Sequence, residues 1–216
     1  MSTLLNSLID FFNFVGSLVC HQRLEKTLII DGRFLPVCAR CTGAYLGFLI
    51  GYVVLFFRKK KANGPPNLWA TSLLFVPMII DAGTQALCIR ESTNQLRLLT
   101  GLFFGVAILP FLIYILQLAP GTQHLPILSV ISPKNPQIDN VKNPWITSKT
   151  LLLGALICLV TFFAINYATN SSNLYLYWVI TFSIVSSITV HIFLLPTLIL
   201  GSFVFEFLKS RTSHMR

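Results

Sequence analysis

The chain has 216 residues, 54% of them hydrophobic and only 11% charged, with a formal net charge of +9. Ordinary soluble domains carry roughly 25% charged residues. Here the charges gather between long apolar runs, which excludes one water-soluble core and implies membrane spans. The positive charge does not indicate nucleic acid: the basic residues sit at the ends of apolar segments, where they meet lipid head groups and set orientation, and no basic helix stands apart from them.

Residues 4–19 are apolar but include Asp10 and Asn13. No basic region precedes them and no small-residue cleavage pattern follows, so they do not resemble a cleaved signal peptide. They are expected to form a short interfacial helix, with a sixth span as the alternative.

The next stretch, Cys20 to Gly43, reads CHQRLEKTLIIDGRFLPVCARCTG. It holds three of the five cysteines, one of the four histidines and four of the sixteen basic residues. Cys20 and His21 are adjacent, and Cys38 and Cys41 form a CxxC pair. Thiols and an imidazole so spaced are the usual equipment of a tetrahedral metal site or of a reactive thiol pair. Cys20, His21, Cys38 and Cys41 are therefore the candidate metal ligands, with zinc the ion that suits S and N donors best. Adjacent residues do not easily reach one ion together, so three protein ligands plus water is the expected arrangement.

Five segments are long enough to cross about 30 Å of hydrocarbon at 1.5 Å per residue. They are 39–57, 68–89, 98–118, 150–168 and 174–200, with a kink expected at Pro196 in the last. Pro36 suits the first turn of the first helix. From that start Cys38, Cys41, Thr42 and Tyr45 share a face, while Gly43, Gly47 and Gly51 line the opposite one and invite close helix packing. The second span carries Asp81, Thr84, Gln85 and Cys88 at i, i+3, i+4 and i+7. A carboxylate there costs at least ~2.5 kcal/mol on insertion scales, so it faces a polar cavity or a partner. A structural, ion-paired Asp81 is the plain alternative to a site role.

Residues 90–105 follow, and Asn94, Arg97, Gly101 and Gly105 share a face of the third span. Asp81, Gln85 and Arg97 are the candidate catalytic residues. Arg40, Arg90, Asn94 and Arg97 are the candidate substrate-binding residues, since guanidinium forks hold carboxylate or phosphate through paired N–H bonds. For Arg90 and Arg97, pairing with Glu91, Asp81 or lipid head groups is the competing use. Cys158 reads as an inert apolar filler, and His191 as a packing or hydrogen-bonding residue.

The segment 119–149 carries five prolines and reads as an irregular connector. It divides the chain into 1–118, with the Cys/His segment and three spans, and 150–216, with two further spans and a basic tail. Ten basic residues (Arg58, Lys59, Lys60, Lys61, Lys134, Lys142, Lys149, Lys209, Arg211 and Arg216) fall on one side of a five-span arrangement and six on the other. The positive-inside rule then places the C-terminus in the cytoplasm and the Cys/His segment outside. The expected fold is an all-α polytopic transmembrane helical bundle of about five spans. It includes a short N-terminal interfacial helix and a Cys/His-containing extramembrane segment.

CHQ at 20–22, PVCARCTG at 36–43, DAGTQ at 81–85 and STNQLRLLTG at 92–101 together resemble the signature of domain of unknown function 2085, a family of predicted integral membrane proteins. Its members look like CHQ…R…G…PVCARCTG, then DG-x-TQ, then S-x-N-x-LR-x-x-TG. Ala82 stands where the pattern has glycine. The resemblance covers roughly residues 17–110 and leaves 119–216 outside. It implies a polytopic bacterial or archaeal membrane protein whose blocks belong together, and it supplies no reaction.

Three functions are compatible with these residues. The first is a zinc site at one membrane face, structural or serving an enzyme that acts on a lipid-like or anionic substrate, with Asp81 as general base. The second is thiol–disulfide exchange by the CxxC pair, whose thiol pKa is lowered at a helix N-terminus beside Arg40. The third is a small-molecule or ion transporter with Asp81, Thr84 and Gln85 along the path. The bilayer is the partner common to all three.

Overall fold

The computed structural model describes residues 2–57, 65–118, 146–171, 173–194, 196–197 and 200–201. Helix α1 spans Ser2–Ser17. Its 16 residues reach about 24 Å at 1.5 Å per residue, short of the roughly 30 Å hydrocarbon core. Leu4, Phe11 and Phe14 are exposed along it and Leu18 just after it, whereas Phe12 and Val15 are buried. Phe12 meets Phe182 and Trp178 edge-on, at centroid distances of 5.0 and 6.0 Å. One apolar face thus packs on the protein and the other is free for lipid, as an interfacial helix requires.

A β-hairpin follows that the sequence reading leaves out. Strands β1 (Thr27–Ile30) and β2 (Arg33–Cys38) pair antiparallel, with Ile30 opposite Arg33. The two residues between them, Asp31 and Gly32, both have positive φ, 52° and 70°. Asp-Gly at such angles is the favoured two-residue hairpin turn. Ile30, Leu35 and Val37 are buried and tie the hairpin to the helices. Pro36 accordingly lies inside β2 and not in a helical first turn, which corrects that expectation. The backbone remains extended up to Cys38, and α2 begins at Ala39.

The long helices are α2 (Ala39–Phe57), α3 (Leu68–Ala86), α4 (Asn94–Leu118), α5 (Ser148–Asn170) and α6 (Leu174–Thr189). The last passes into a π turn at Val190–Leu194. Four of these segments are long and apolar enough to cross a membrane: Ala39–Phe57, Asn94–Leu116, Ser148–Asn170 and Leu174–Phe193. Helix α3 has 19 residues and exposes Trp69, Leu73, Ile79 and Ile80, but Asp81, Thr84 and Gln85 dilute its apolarity. The expected count of about five holds only with α3 included.

Helix α2 is central. Gly43 and Gly47 face Gly101 and Gly105 of α4 so closely that a Cβ on any of the four would meet the partner's backbone. On another side α2 contacts α6: Ser187 Oγ donates to the Tyr45 carbonyl at 2.8 Å, and His191 stacks on Phe48 at 4.3 Å. His191 Nδ1 lies 2.7 Å from the Ser187 carbonyl, which can only accept, so Nδ1 carries the proton and Nε2 accepts from Tyr52 Oη at 3.3 Å. The π turn holding His191 comes before Pro196, where the kink is expected. A proline at 196 cannot donate to carbonyl 192, and its ring crowds that carbonyl.

Helix α3 stops at Ala86 and not near residue 89. Ile89 N donates to Thr84 O at 2.9 Å and Cys88 N to Gln85 O at 3.1 Å, while Cys88 has φ 55°. That is a Schellman terminus with Cys88 in the left-handed position. Cys88 therefore leaves the Asp81/Thr84/Gln85 face and is exposed, which corrects the four-residue face. Of the ten basic residues that set the expected orientation, only Lys149 lies within the described residues. His124 and most of the 119–149 connector also lie outside them.

Candidate metal and anion site

The turn after α1 positions Cys20. Cys20 N donates to Gly16 O at 3.0 Å, and Gly16 lies against the Pro36 carbonyl where a Cβ would clash. Gln22 has φ 48°. Its Nε2 donates to Asn13 O at 2.6 Å and to Pro36 O at 2.8 Å, clamping α1 to β2. Cys38 ends β2, and Cys41 sits in the first turn of α2. The three sulfur atoms of Cys20, Cys38 and Cys41 all lie within 4.8 Å of one another. Three thiolates at about 2.3 Å from a tetrahedral zinc would be about 3.8 Å apart, so a small inward movement suffices. Two backbone amides already point at Cys20 Sγ, from Cys38 at 3.3 Å and Gln22 at 3.4 Å. Hydrogen bonds from the Cys38 and Cys41 thiols, aided by these amides and opposed by burial, hold the Cys20 thiol well below its ordinary pKa. These donors favour a thiolate, the form that binds metal.

His21 lines the same cavity, but its ring is not among the converging ligand atoms. Among the described residues no fourth Cys, His, Asp or Glu joins the group. Cys158 is buried far along α5 with Sγ 3.6 Å from Leu102 O, and Cys88 is exposed on the α3–α4 connection.

Arg40 links the thiols to α3. It lines the cavity with the three cysteines. Its Nη2 donates to Asp81 Oδ2 at 2.5 Å and to Gln85 Oε1 at 3.1 Å. Asp81 is only 2% exposed, and its other oxygen accepts from Arg90 Nη2 at 3.2 Å. The Schellman turn brings Arg90 back to reach it. The buried carboxylate is thus compensated by two guanidiniums, as its location demands.

Asn94 and Arg97 take a different position. Arg97, 6% exposed, donates to Asn94 Oδ1 at 2.8 Å, and Asn94 Nδ2 donates to the Glu25 carbonyl at 3.3 Å. The pair fastens the start of α4 to the segment before β1, and neither residue lines the thiol cavity. The structure therefore brings Cys20, Cys38, Cys41, Arg40, Asp81 and Gln85 into one contiguous group. It keeps His21 at the wall, and Asn94 and Arg97 on the neighbouring support. The sequence reading misses Gln22, Arg23 and Lys26 as cavity residues; the CHQ string is the one signal that points to Gln22.

A family described as a predicted membrane protein family, DUF2085, matches residues 20–111. An uncharacterized protein of Methanocaldococcus jannaschii is 38% identical over 100 residues, covering 46% of this chain and 64% of the relative. The chain thus spans just under two thirds of that relative's length. An uncharacterized protein of Methanothermobacter thermautotrophicus is 40% identical over 90 residues, covering 42% of this chain and 80% of the relative. No solved structure matches. The matched region contains every residue of the contiguous group.

Proposed function

Because the chain belongs to the family of predicted membrane proteins described as DUF2085, we propose a function within the membrane: it holds zinc at one membrane face through Cys20, Cys38 and Cys41. The observation that carries this reading is the convergence of three sulfurs from three separate elements, with two amides directed at one of them. Three ligands leave a fourth position, and a zinc so held can acidify a bound water toward pKa about 7. A metal-dependent enzyme acting on a lipid-like or anionic substrate is the activity this favours. Asp81 has both oxygens engaged by Arg40 and Arg90; we assign it and Gln85 to positioning Arg40, not to abstracting a proton. His21 is a second-choice ligand, and Arg97 with Asn94 supports the site from α4.

The CxxC pair at the start of α2 also favours a second reading, thiol–disulfide exchange, since helix N-termini stabilise thiolates. Elemental analysis of the purified protein separates the two. Stoichiometric zinc in the wild type and in Cys158→Ser, lost in Cys38→Ser, supports the metal site. Absence of metal together with a titratable disulfide supports exchange and overturns the zinc reading. Absence of both leaves transport as the surviving function.

A further inference from the structure

The cavity beside the thiols has a volume of about 430 Å³, within the range of about 300–1,000 Å³ typical of ligand pockets. Its wall combines the cysteine group with Arg23, Lys26, Arg40 and His21, and no acidic residue among the described residues lines it. Arg40 is only partly committed, and the other basic groups are free of side-chain partners among the described residues. No side-chain hydrogen bond or ion pair among the described residues engages His21, Arg23 or Lys26. Arg40 uses only Nη2 for Asp81 and Gln85, and its Nε is buried without a partner. Buried guanidinium nitrogens ordinarily find acceptors. Asp81 is shared between Arg40 and Arg90, so it offsets only part of the charge on this wall. A divalent ion on three thiolates leaves at most one negative charge to face three cations.

We infer that this wall is a phosphate-binding pocket, formed by Arg23, Lys26 and Arg40, whose ligand is a phosphomonoester or diphosphate held next to the thiol group. Arg23 and Lys26 from the turn before β1 and Arg40 from α2 line one cavity, and two guanidiniums with an ammonium suit an anion with several oxygens. A lone carboxylate would satisfy one fork. The pocket also adjoins the end of α1, where Phe14 and Leu18 are exposed, so its mouth lies beside a surface suited to the lipid interface. The phosphate can come from a lipid head group or from a free anion. This inference shares its site with the zinc reading and names the substrate class for it, but it does not require the ion.

The test uses the full-length protein purified in phosphate-free maltoside detergent. One arm titrates inorganic pyrophosphate by calorimetry. The second presents short-chain phosphatidic acid, with phosphatidylcholine of the same chain length as control. Saturable binding to one site is expected in at least one arm. Arg23→Gln/Lys26→Gln should weaken it at least about tenfold, a change of roughly 1.4 kcal/mol, with zinc content and melting temperature unchanged. Binding of pyrophosphate identifies a free anion as sufficient; binding of phosphatidic acid alone identifies the lipid. Absence of saturable binding in both arms overturns the pocket, as does equal affinity in the double variant. Should the double variant fail to fold, Arg23→Gln and Lys26→Gln are titrated singly, and unchanged affinity in both overturns it equally. Binding that depends on Arg23 and Lys26 in a protein without zinc upholds the pocket and removes only the metal reading.

Discussion

At the scale of single residues, Asp81 shows how a costly group is made tolerable. It is buried, yet two guanidiniums meet its two oxygens. They are not equivalent. Arg90 is 49% exposed on its side chain and Arg40 only 22%. Arg40→Ala leaves the carboxylate with Arg90, half solvated, as its one charged partner among the described residues and should destabilise by about 3–5 kcal/mol, the cost of breaking a buried pair. Arg90→Ala should cost about 1 kcal/mol or less, as for an exposed pair. Thermal unfolding in detergent measures both, and equal losses would refute the assignment. Gln22 gives a second prediction. Its two carbonyl contacts hold the turn that carries Cys20, so Gln22→Ala should lower zinc affinity by about 10–100-fold, as outer-shell mutations do. Competition with a chelator reads that change, and an unaltered affinity would show that the turn holds itself. The thiol group was legible in the spacing of Cys20, Cys38 and Cys41. Arg40 as its link to Asp81 was not, because that link depends on how α3 approaches α2, and no local pattern encodes an interhelical distance.

At the scale of elements, helix existence followed from apolar length and helix ends did not. The interior of α2 matches its expected span, while α3 ends early because a Schellman turn forms with Cys88 in the left-handed position. A cysteine there gives no sequence signal, since glycine or asparagine normally marks the site. Cys88→Gly should therefore stabilise by about 1 kcal/mol, the left-handed penalty removed. A lower melting temperature in that variant would contradict the strain. The hairpin had a signal that went unused: Asp31-Gly32 between two apolar runs is a hairpin turn by its chemistry. The glycine stripe of α2 was readable, and its partner stripe on α4 completes it. Gly47→Val or Gly105→Val must push backbone from backbone and should cost about 3 kcal/mol or more, seen as loss of folded protein on size exclusion.

At the scale of the whole molecule, the cysteine turn, the hairpin, the α3–α4 connection and the start of α4 meet at one end of the bundle. Arg40–Asp81 and Asn94–Glu25 are the contacts that join them. Positive charge after α2 and at the C-terminus predicts that this end is extracytoplasmic. In a Cys88→Ser background, Lys60→Cys and Lys142→Cys should resist impermeant thiol reagents in intact cells and Ser172→Cys should label; the reverse pattern inverts the orientation. The central claim is that three cysteines hold one zinc, and X-ray absorption at the zinc edge of the purified protein tests it most directly. Three sulfur scatterers at about 2.3 Å with one lighter ligand at about 2.0–2.2 Å are predicted. A first shell of nitrogen and oxygen alone would contradict it.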